Sequence, residues 1–491
     1  MIRSYRFATS LALLILLTAT SVHSQWLKDQ AVTWSDFNQV HAVASSMSHV
    51  YFATEGGVIR YNKSEQRWED PLTGADGFQN EIAKKIWVDQ FDNKLYAQTD
   101  LGYYQYDILF ERWYPITSLP SIDNTTRHIA TPDILLPDFD ANYMGGDDFI
   151  DYFGRKFSVT DVVEDGLGNL WIGTWGFGAA VARTATGMMH LMPYGLLQRS
   201  VGTMYVEDSM LWLSGPIYND YRTGISGFER EKGTFTFIET GLRSDLPAVD
   251  INCLSGRDDV LYAGTPRGLY VIDKETKMTQ RRLDSRNGLM SDNVLSLATF
   301  DDALYVGTSR GLSVTGGKMD SAVYVRPETF RGQYVFDIVP DSDAVWIAST
   351  VGAYRYTPST DRLQNYVDPE KLLASEVYDI EVLGDDIWFV SRSGVVRLDA
   401  VTGDSKSYKE IAGRVDYRAM AVNKWICAVT SNFGVTFIFL DSDRDYTKEF
   451  GMRDGLPSNN VYSLMFDGDY LWIGTDEGLT RFWWNNPNRV D

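Results

Sequence analysis

The sequence predicts an all-β chain, a β-propeller of four-stranded antiparallel blades with about ten repeats, a single ring being favoured. One observation is a short apolar strand that ends in a small residue and is followed, usually within two positions, by a turn glycine and a second strand; it recurs ten times. Another is the spacing. With the aromatic of Leu471-Trp472-Ile473-Gly474-Thr475 as anchor, the equivalents are Tyr51, Tyr96, Trp171, Trp212, Tyr262, Tyr305, Trp346, Trp388 and Cys427, mostly 39 to 50 residues apart. The third is the 13% aromatic content, which suits twisted sheets packed face to face.

Each repeat carries four short strands. Upstream of the hairpin lies an alternating segment such as Asn460-Val461-Tyr462-Ser463-Leu464, and downstream another such as Thr234-Phe235-Thr236-Phe237-Ile238. Glycine stands six residues after the anchor at Gly57, Gly102, Gly268, Gly311, Gly352, Gly394 and Gly478. A tight hairpin needs φ > 0 there, which glycine adopts without a Cβ clash.

The run Asp454-Gly455-Leu456-Pro457-Ser458-Asn459-Asn460-Val461, continuing into Leu471-Trp472-Ile473-Gly474-Thr475 and Gly478-Leu479, resembles the two-component regulator propeller repeat. Asn287-Gly288-Leu289 and Asp165-Gly166-Leu167 open similar stretches. The resemblance implies an extracytoplasmic sensory or scaffold propeller, familiar as the sensor half of bacterial hybrid histidine kinases. Only Trp483 to Asp491 follow Phe482, so signalling by this chain alone is not expected.

At the amino terminus, Arg3 and Arg6 precede the apolar run Leu11 to Leu17 and the small-residue pattern Val22-His23-Ser24, which reads as a signal peptide over 1–24. No cysteine stands at the junction, so an exported protein of the periplasm or exterior is expected rather than a lipoprotein. No later segment approaches the roughly 18 apolar residues that span a bilayer. Cleavage removes two arginines and no acids, taking the formal charge from -21 to -23. That acidity disfavours nucleic acid as a partner.

Cys253 and Cys427 fall on strands of different repeats, the fifth and the ninth, and are expected to be unpaired and buried. The last repeat lacks an outer strand, and Trp26 to Trp34 supplies a surplus one, so the amino-terminal strand is expected to complete the blade of Trp472. Two five-bladed rings, or a smaller ring with extra repeats, are the alternatives to one ring.

The pattern breaks in three places. An insertion of about 115–156 lies in the D–A connection between repeats two and three. The B–C turn of repeat three is enlarged to Trp175-Gly176-Phe177-Gly178, exposing two aromatics. That of repeat four carries Tyr218-Asn219-Asp220-Tyr221-Arg222. In an antiparallel blade these connections emerge on one face, and irregular loops on a rigid scaffold are where binding is expected. The candidate ligand-binding residues are therefore Trp175, Phe177 and Tyr218 to Arg222. From the insertion come Tyr143, Asp147, Asp148, Asp151, Tyr152 and Arg155, a mixture suited to a glycan or peptide. The bland reading is that the insertion plugs a channel or covers an apolar blade face.

No catalytic residue, metal or cofactor is assigned. The four histidines after the signal peptide, His41, His49, His128 and His190, have no metal-ligand spacing. Asp441 to Asp445 resembles the opening of a calcium loop, but Tyr446 and Met452 stand where such a loop needs glycine and a bidentate acid. The functional expectation is a non-enzymatic envelope propeller that binds a glycan, peptide or envelope protein. A polysaccharide hydrolase or lyase is the alternative.

Overall fold

The computed structural model describes residues 31–78, 82–89, 94–122, 126–133, 135–152, 154–218, 220, 222–241, 244–316, 324–325, 328–409, 419–440 and 445–486. Residues 1–24, expected from the sequence to be a signal peptide, and residues 441–444 lie outside them. Among the described residues the strands form ten sheets, nine of four strands and one of eight. Strands of each blade are named A to D in chain order.

One turn design explains the recurring sequence unit. A threonine or serine ending strand B donates its hydroxyl to the carbonyl of the turn glycine three residues on. Thr54 to Gly57 (2.7 Å), Thr308 to Gly311 (2.7 Å) and Thr475 to Gly478 (3.0 Å) are examples. The glycine itself is left-handed, with φ of 128°, 140° and 150° at these three positions. The small residue and the glycine of the repeat are thus two halves of one hydrogen-bonded corner.

The anchor aromatics lie on strand B and point at the next blade. Trp212 packs with Leu254 and Leu261 of blade 5, Trp346 with Ile380 and Ile387 of blade 8, and Trp388 with Met420 and Val429 of blade 9. The ninth repeat needs a correction. Its left-handed turn glycine is Gly434, which makes Ala428 the residue equivalent to the other anchors. Cys427, taken as the anchor, therefore faces backward to Trp388. A slip of one residue along a strand exchanges the two faces. Both thiols are free, Cys427 buried and Cys253 partly so.

The expected amino-terminal strand is present: Ala31–Trp34 pairs antiparallel with Leu479–Trp483 and completes the blade of Trp472. Residues 26–30 lie outside the described ones.

The order of blades differs from the favoured ring of ten. A side chain on strand A of one blade bonds the backbone of strand A of the next. Thr203 accepts from Leu254 N, Ser296 donates to Val335 O, and Asp337 accepts from Ile380 N. Ser463 of blade 10 donates to Val201 O, at the edge of blade 4 (3.0 Å), and Arg230 of blade 4 pairs with Asp467. Blades 4 to 10 therefore run back on themselves without blades 1 to 3. Those three form a second group in the order 3-1-2: Asp161 of blade 3 accepts from Val43 N of blade 1, and Tyr51 of blade 1 packs with Ile86 and Leu95 of blade 2. This is closer to a smaller ring with extra repeats. Neighbouring blades therefore do not follow chain order in this group, where hydrogen bonds and the apolar packing of Val40 and Val43 with Val163 and Trp171 join blade 1 to blade 3.

The linker after the amino-terminal strand joins the two groups. Leu196 N donates to Ser35 O, while Gly176 N and Gly178 N both donate to Asn38 O. Phe37 is buried and stacks on Tyr194, 5.9 Å between centroids. A Cβ on Gly195 would lie 2.4 Å from the Phe37 ring, so that glycine is required by close approach. Burial of Asp36 in this linker pushes its carboxyl up to about 7.

Candidate functional site

The insertion wraps blade 3. Arg127–His128 pairs with the end of strand A (Lys156–Glu164), the hairpin Ala141–Gly145/Asp148–Asp151 pairs with its start, and Leu136–Pro137 runs parallel to strand D (Met188–Leu191). Leu135 and Phe149 of the insertion pack with Phe157, Leu170, Ile172 and Met189 of the blade, so the insertion covers an apolar face of it. This cover also fixes the far edge of a cavity.

The cavity, about 610 Å³, lies where the insertion meets blades 4 and 5. Asp151, Tyr152 and Arg155 come from the insertion, Phe177 from the B–C turn of blade 3, and Arg222 from that of blade 4. Phe237 and Glu239 lie on strand D of blade 4, and Lys277 on a turn of blade 5. At its centre Glu239 accepts from Arg155 Nη2 (2.7 Å) and from Arg222 Nη2 (2.8 Å) on its two oxygens. Arg155 Nε also reaches Asp151 at 2.7 Å. Burial opposes ionisation of Glu239, but Arg222 and Arg155 outweigh it and hold its carboxyl below the usual range. The Arg222 guanidinium lies 5.9 Å from the Phe177 ring and 5.7 Å from that of Phe237.

Lys277 is the charge in this cavity with no acid beside it. Its ammonium meets the Thr236 hydroxyl at 2.5 Å, and burial holds it below the ordinary lysine range. No ion pair of Lys277 occurs among the described residues.

The sequence-predicted residues divide into groups. Asp151, Tyr152, Arg155, Phe177 and Arg222 converge on the cavity, Tyr152 71% exposed. Phe177 is not the exposed aromatic expected. It is 9% exposed, stacked on Phe157 of strand A at 3.7 Å between centroids, with Phe139 of the insertion edge-on to it at 5.1 Å. Trp175 lies elsewhere, edge-on to His41 at 5.3 Å and bridged to Gln39. Tyr218 turns toward blade 10, its hydroxyl meeting that of Tyr462 at 2.8 Å, while Asp220 accepts from Tyr218 N and from Arg199 N.

Within the insertion, Tyr143 is tied to the carbonyls of Pro132 and Gly146, and Asp147 to Thr131. Asp148 pairs with Lys156 at 2.8 Å. Asn219 and Tyr221 lie outside the described residues. His128, half exposed, bonds Asp161 at 2.8 Å. Sequence reasoning missed Phe237, Glu239 and Lys277, which lie in regular positions of their repeats where no break in pattern marks them.

Residues 455–477 match the family described as two component regulator propeller, so the chain carries that repeat. No curated protein matches. Among solved structures, the chain is similar to the extracellular domain of BT4673 from B. thetaiotaomicron, described as a hybrid two component system. The identity is 16%, covering 92% of this chain and 71% of that one, with TM-score 0.48. PorZ, a surface component of the type-IX secretion system of Porphyromonas gingivalis, is 15% identical over 91% of this chain and 69% of its own, with TM-score 0.49. Virginiamycin B lyase from Staphylococcus aureus is 15% identical over 58% and 94%, with TM-score 0.46. Likenesses at this identity and TM-score assign no function. Among the described residues no helix is long and apolar enough to cross a membrane.

Proposed function

We propose that this chain is an exported, non-enzymatic propeller of the cell envelope that acts as a sensor or interaction scaffold. Its ligand is a glycan or peptide held in the cavity between the insertion and blades 4 and 5, and it presents an anionic group to Lys277. The observation that carries this reading is the Lys277 ammonium: it loses hydration in a cavity lined by aromatics yet has no carboxylate partner, whereas the neighbouring arginines are already neutralised by Asp151 and Glu239. A ligand carboxylate would restore a charge-assisted hydrogen bond there. The exposed Tyr152 ring at the same cavity offers a stacking surface.

The hydrolase or lyase reading draws less support. Glu239, the central acid, is bound by two guanidiniums and kept ionised, which is the reverse of what a proton donor needs.

Calorimetric titration of the protein lacking its first 24 residues, against neutral and uronate oligosaccharides and acidic and neutral peptides, tests the proposal. Binding of an anionic member, weakened about tenfold or more by Lys277→Ala with thermal stability unchanged, is the expected result. Equal binding by the variant, or no binding by any member, overturns it.

A further inference from the structure

The B–C turns of blades 5 to 9 share one geometry. In each, the hydroxyl that ends strand B accepts from the backbone N–H of the residue at the tip of the turn. Arg267 N donates to Thr265 (3.0 Å), Arg310 N to Thr308 (3.2 Å), Val351 N to Ser349 (3.3 Å), Ser393 N to Ser391 (3.2 Å) and Phe433 N to Ser431 (3.3 Å). The glycine that follows each tip takes the left-handed conformation, so the backbone makes no demand on the tip side chain. Turns favour small polar residues at such places. Here two tips are arginines, two are apolar, and Arg392 precedes the fifth.

Because the B–C turns of successive blades emerge on one face, that face carries Arg267, Arg310 and Arg392 interleaved with Val351 and Phe433. Phe433 is 54% exposed and the Arg392 side chain 77%. Tyr334, also exposed, lies beside the turn of blade 7, where Thr350 N donates to its carbonyl at 3.2 Å. Arg267 and Arg310 form no ion pair among the described residues, and Arg392 stands 3.9 Å from Glu376, beyond hydrogen-bond distance. Asp476 and Glu477, at the turn of blade 10, bound this surface on one side. The other face has the opposite sign. The A–B turns of blades 5 to 8 place Asp258 and Asp259, Asp301 and Asp302, Asp341 and Asp343, and Asp385 and Asp386 there. In a chain of formal charge -21, charge sorted in this way orients the molecule before an anionic surface.

We infer that this face docks on a membrane of anionic lipids, Arg267, Arg310 and Arg392 meeting headgroup phosphates while Phe433, Val351 and Tyr334 enter the boundary between headgroups and acyl chains. A guanidinium offers paired donors that fit a phosphate. The apolar tips between the arginines favour a lipid surface over a dissolved polyanion, which has no apolar layer to receive them. The aspartates of the A–B turns then point away from the membrane. The surface is separate from the Lys277 cavity, so either can fail without the other.

The test is co-sedimentation of the protein lacking its first 24 residues with vesicles of phosphatidylglycerol and phosphatidylcholine in equal parts, alongside vesicles of phosphatidylcholine alone. Capture by the anionic vesicles is expected to be at least tenfold stronger, and to weaken as sodium chloride rises from about 0.05 to about 0.5 M. Each arginine at an anionic surface contributes about fivefold. Arg267→Gln, Arg310→Gln and Arg392→Gln together should therefore weaken capture at least tenfold, and Phe433→Ser, which leaves the charge alone, several-fold. Lys424→Gln, on the A–B turn of blade 9 and so on the other face, should change nothing. If the triple variant melts early, the three single variants make the same comparison. Equal capture by both kinds of vesicle, or capture that survives loss of the arginines, overturns the inference. So does capture that dextran sulfate competes away but Phe433→Ser leaves intact, since the face would then be a site for dissolved polyanions.

Discussion

Asp161 Oδ2 in blade 3 accepts the backbone N–H of Val43 in blade 1 at 2.8 Å. Blade 3 is thereby held beside blade 1, although blade 2 stands between them in the chain. The contact is of the same kind as Asp337 to Ile380 N and Ser463 to Val201 O in the larger group. Gly173 helps: a Cβ there would lie 2.6 Å from Val40, so the blades approach closely only because the side chain is absent.

Replacing Asp161 with Ala strands a buried donor, since Val43 is fully buried. The expected loss is about 1–3 kcal/mol in urea unfolding, with Asp161→Asn costing less because it keeps an acceptor. An Ala variant as stable as the parent would mean that the blades are held by apolar packing alone.

Stability should fall as pH rises because of three acids on the inner strands of blades 7 and 8. Burial raises the carboxyls of Asp337 and Asp379, and it pushes Glu381 up to about 8. The folded state therefore binds protons more tightly than the unfolded chain, so the stabilisation is fully present below about 4.5 and is lost as pH climbs through about 8. Glu381→Gln should remove a loss on the order of a few kcal/mol across that window, at about 1.4 kcal/mol per unit. Denaturation midpoints measured from about pH 4.5 to about 8.5 check this, and identical slopes for variant and parent would refute it.

Much of this arrangement was legible from the repeat itself. Gly57, Gly102, Gly268, Gly311, Gly352, Gly394 and Gly478 all have positive φ, as the six-residue offset predicts. The amino-terminal strand was legible because blade 10 lacked a partner for Leu479–Trp483. Which blades are neighbours was not. That choice depends on single side chains such as Asp161 and Ser463, whose hydrogen-bond partners are far away in sequence. The site was half legible for a related reason. Arg155 and Arg222 sit in segments that break the pattern, whereas Glu239, which joins them, occupies an ordinary strand position.

Gly478 tests the closure of blade 10. Its φ is 150°, and an added Cβ would lie 2.5 Å from Trp34 O on the amino-terminal strand. Gly478→Ala therefore combines backbone strain with a clash against a carbonyl that cannot move without breaking the pairing of Ala31–Trp34. A loss of about 1–3 kcal/mol is expected. Limited proteolysis should then cut first near residue 34. An Ala variant with the parent's stability and cleavage pattern would contradict that reading of the seam.

Glu239 is the point at which the insertion is tied to the larger group of blades, through Arg155 on one oxygen and Arg222 on the other. The side chains of Glu239 and Arg222 are 24% and 12% exposed, so the network is neither a solvated surface pair nor a dry interior one. Glu239→Ala should cost about 1–3 kcal/mol, between the values for exposed and fully buried pairs. The sharper measurement is a double-mutant cycle of Arg155→Ala with Glu239→Ala. If the insertion is latched through this carboxylate, the coupling should be about 0.5–3 kcal/mol, and Arg155→Ala in the Glu239→Ala background should do little further harm. Strict additivity would show that the apolar packing of Leu135 and Phe149 on the blade holds the insertion by itself, leaving Arg155 available to a ligand rather than to the fold.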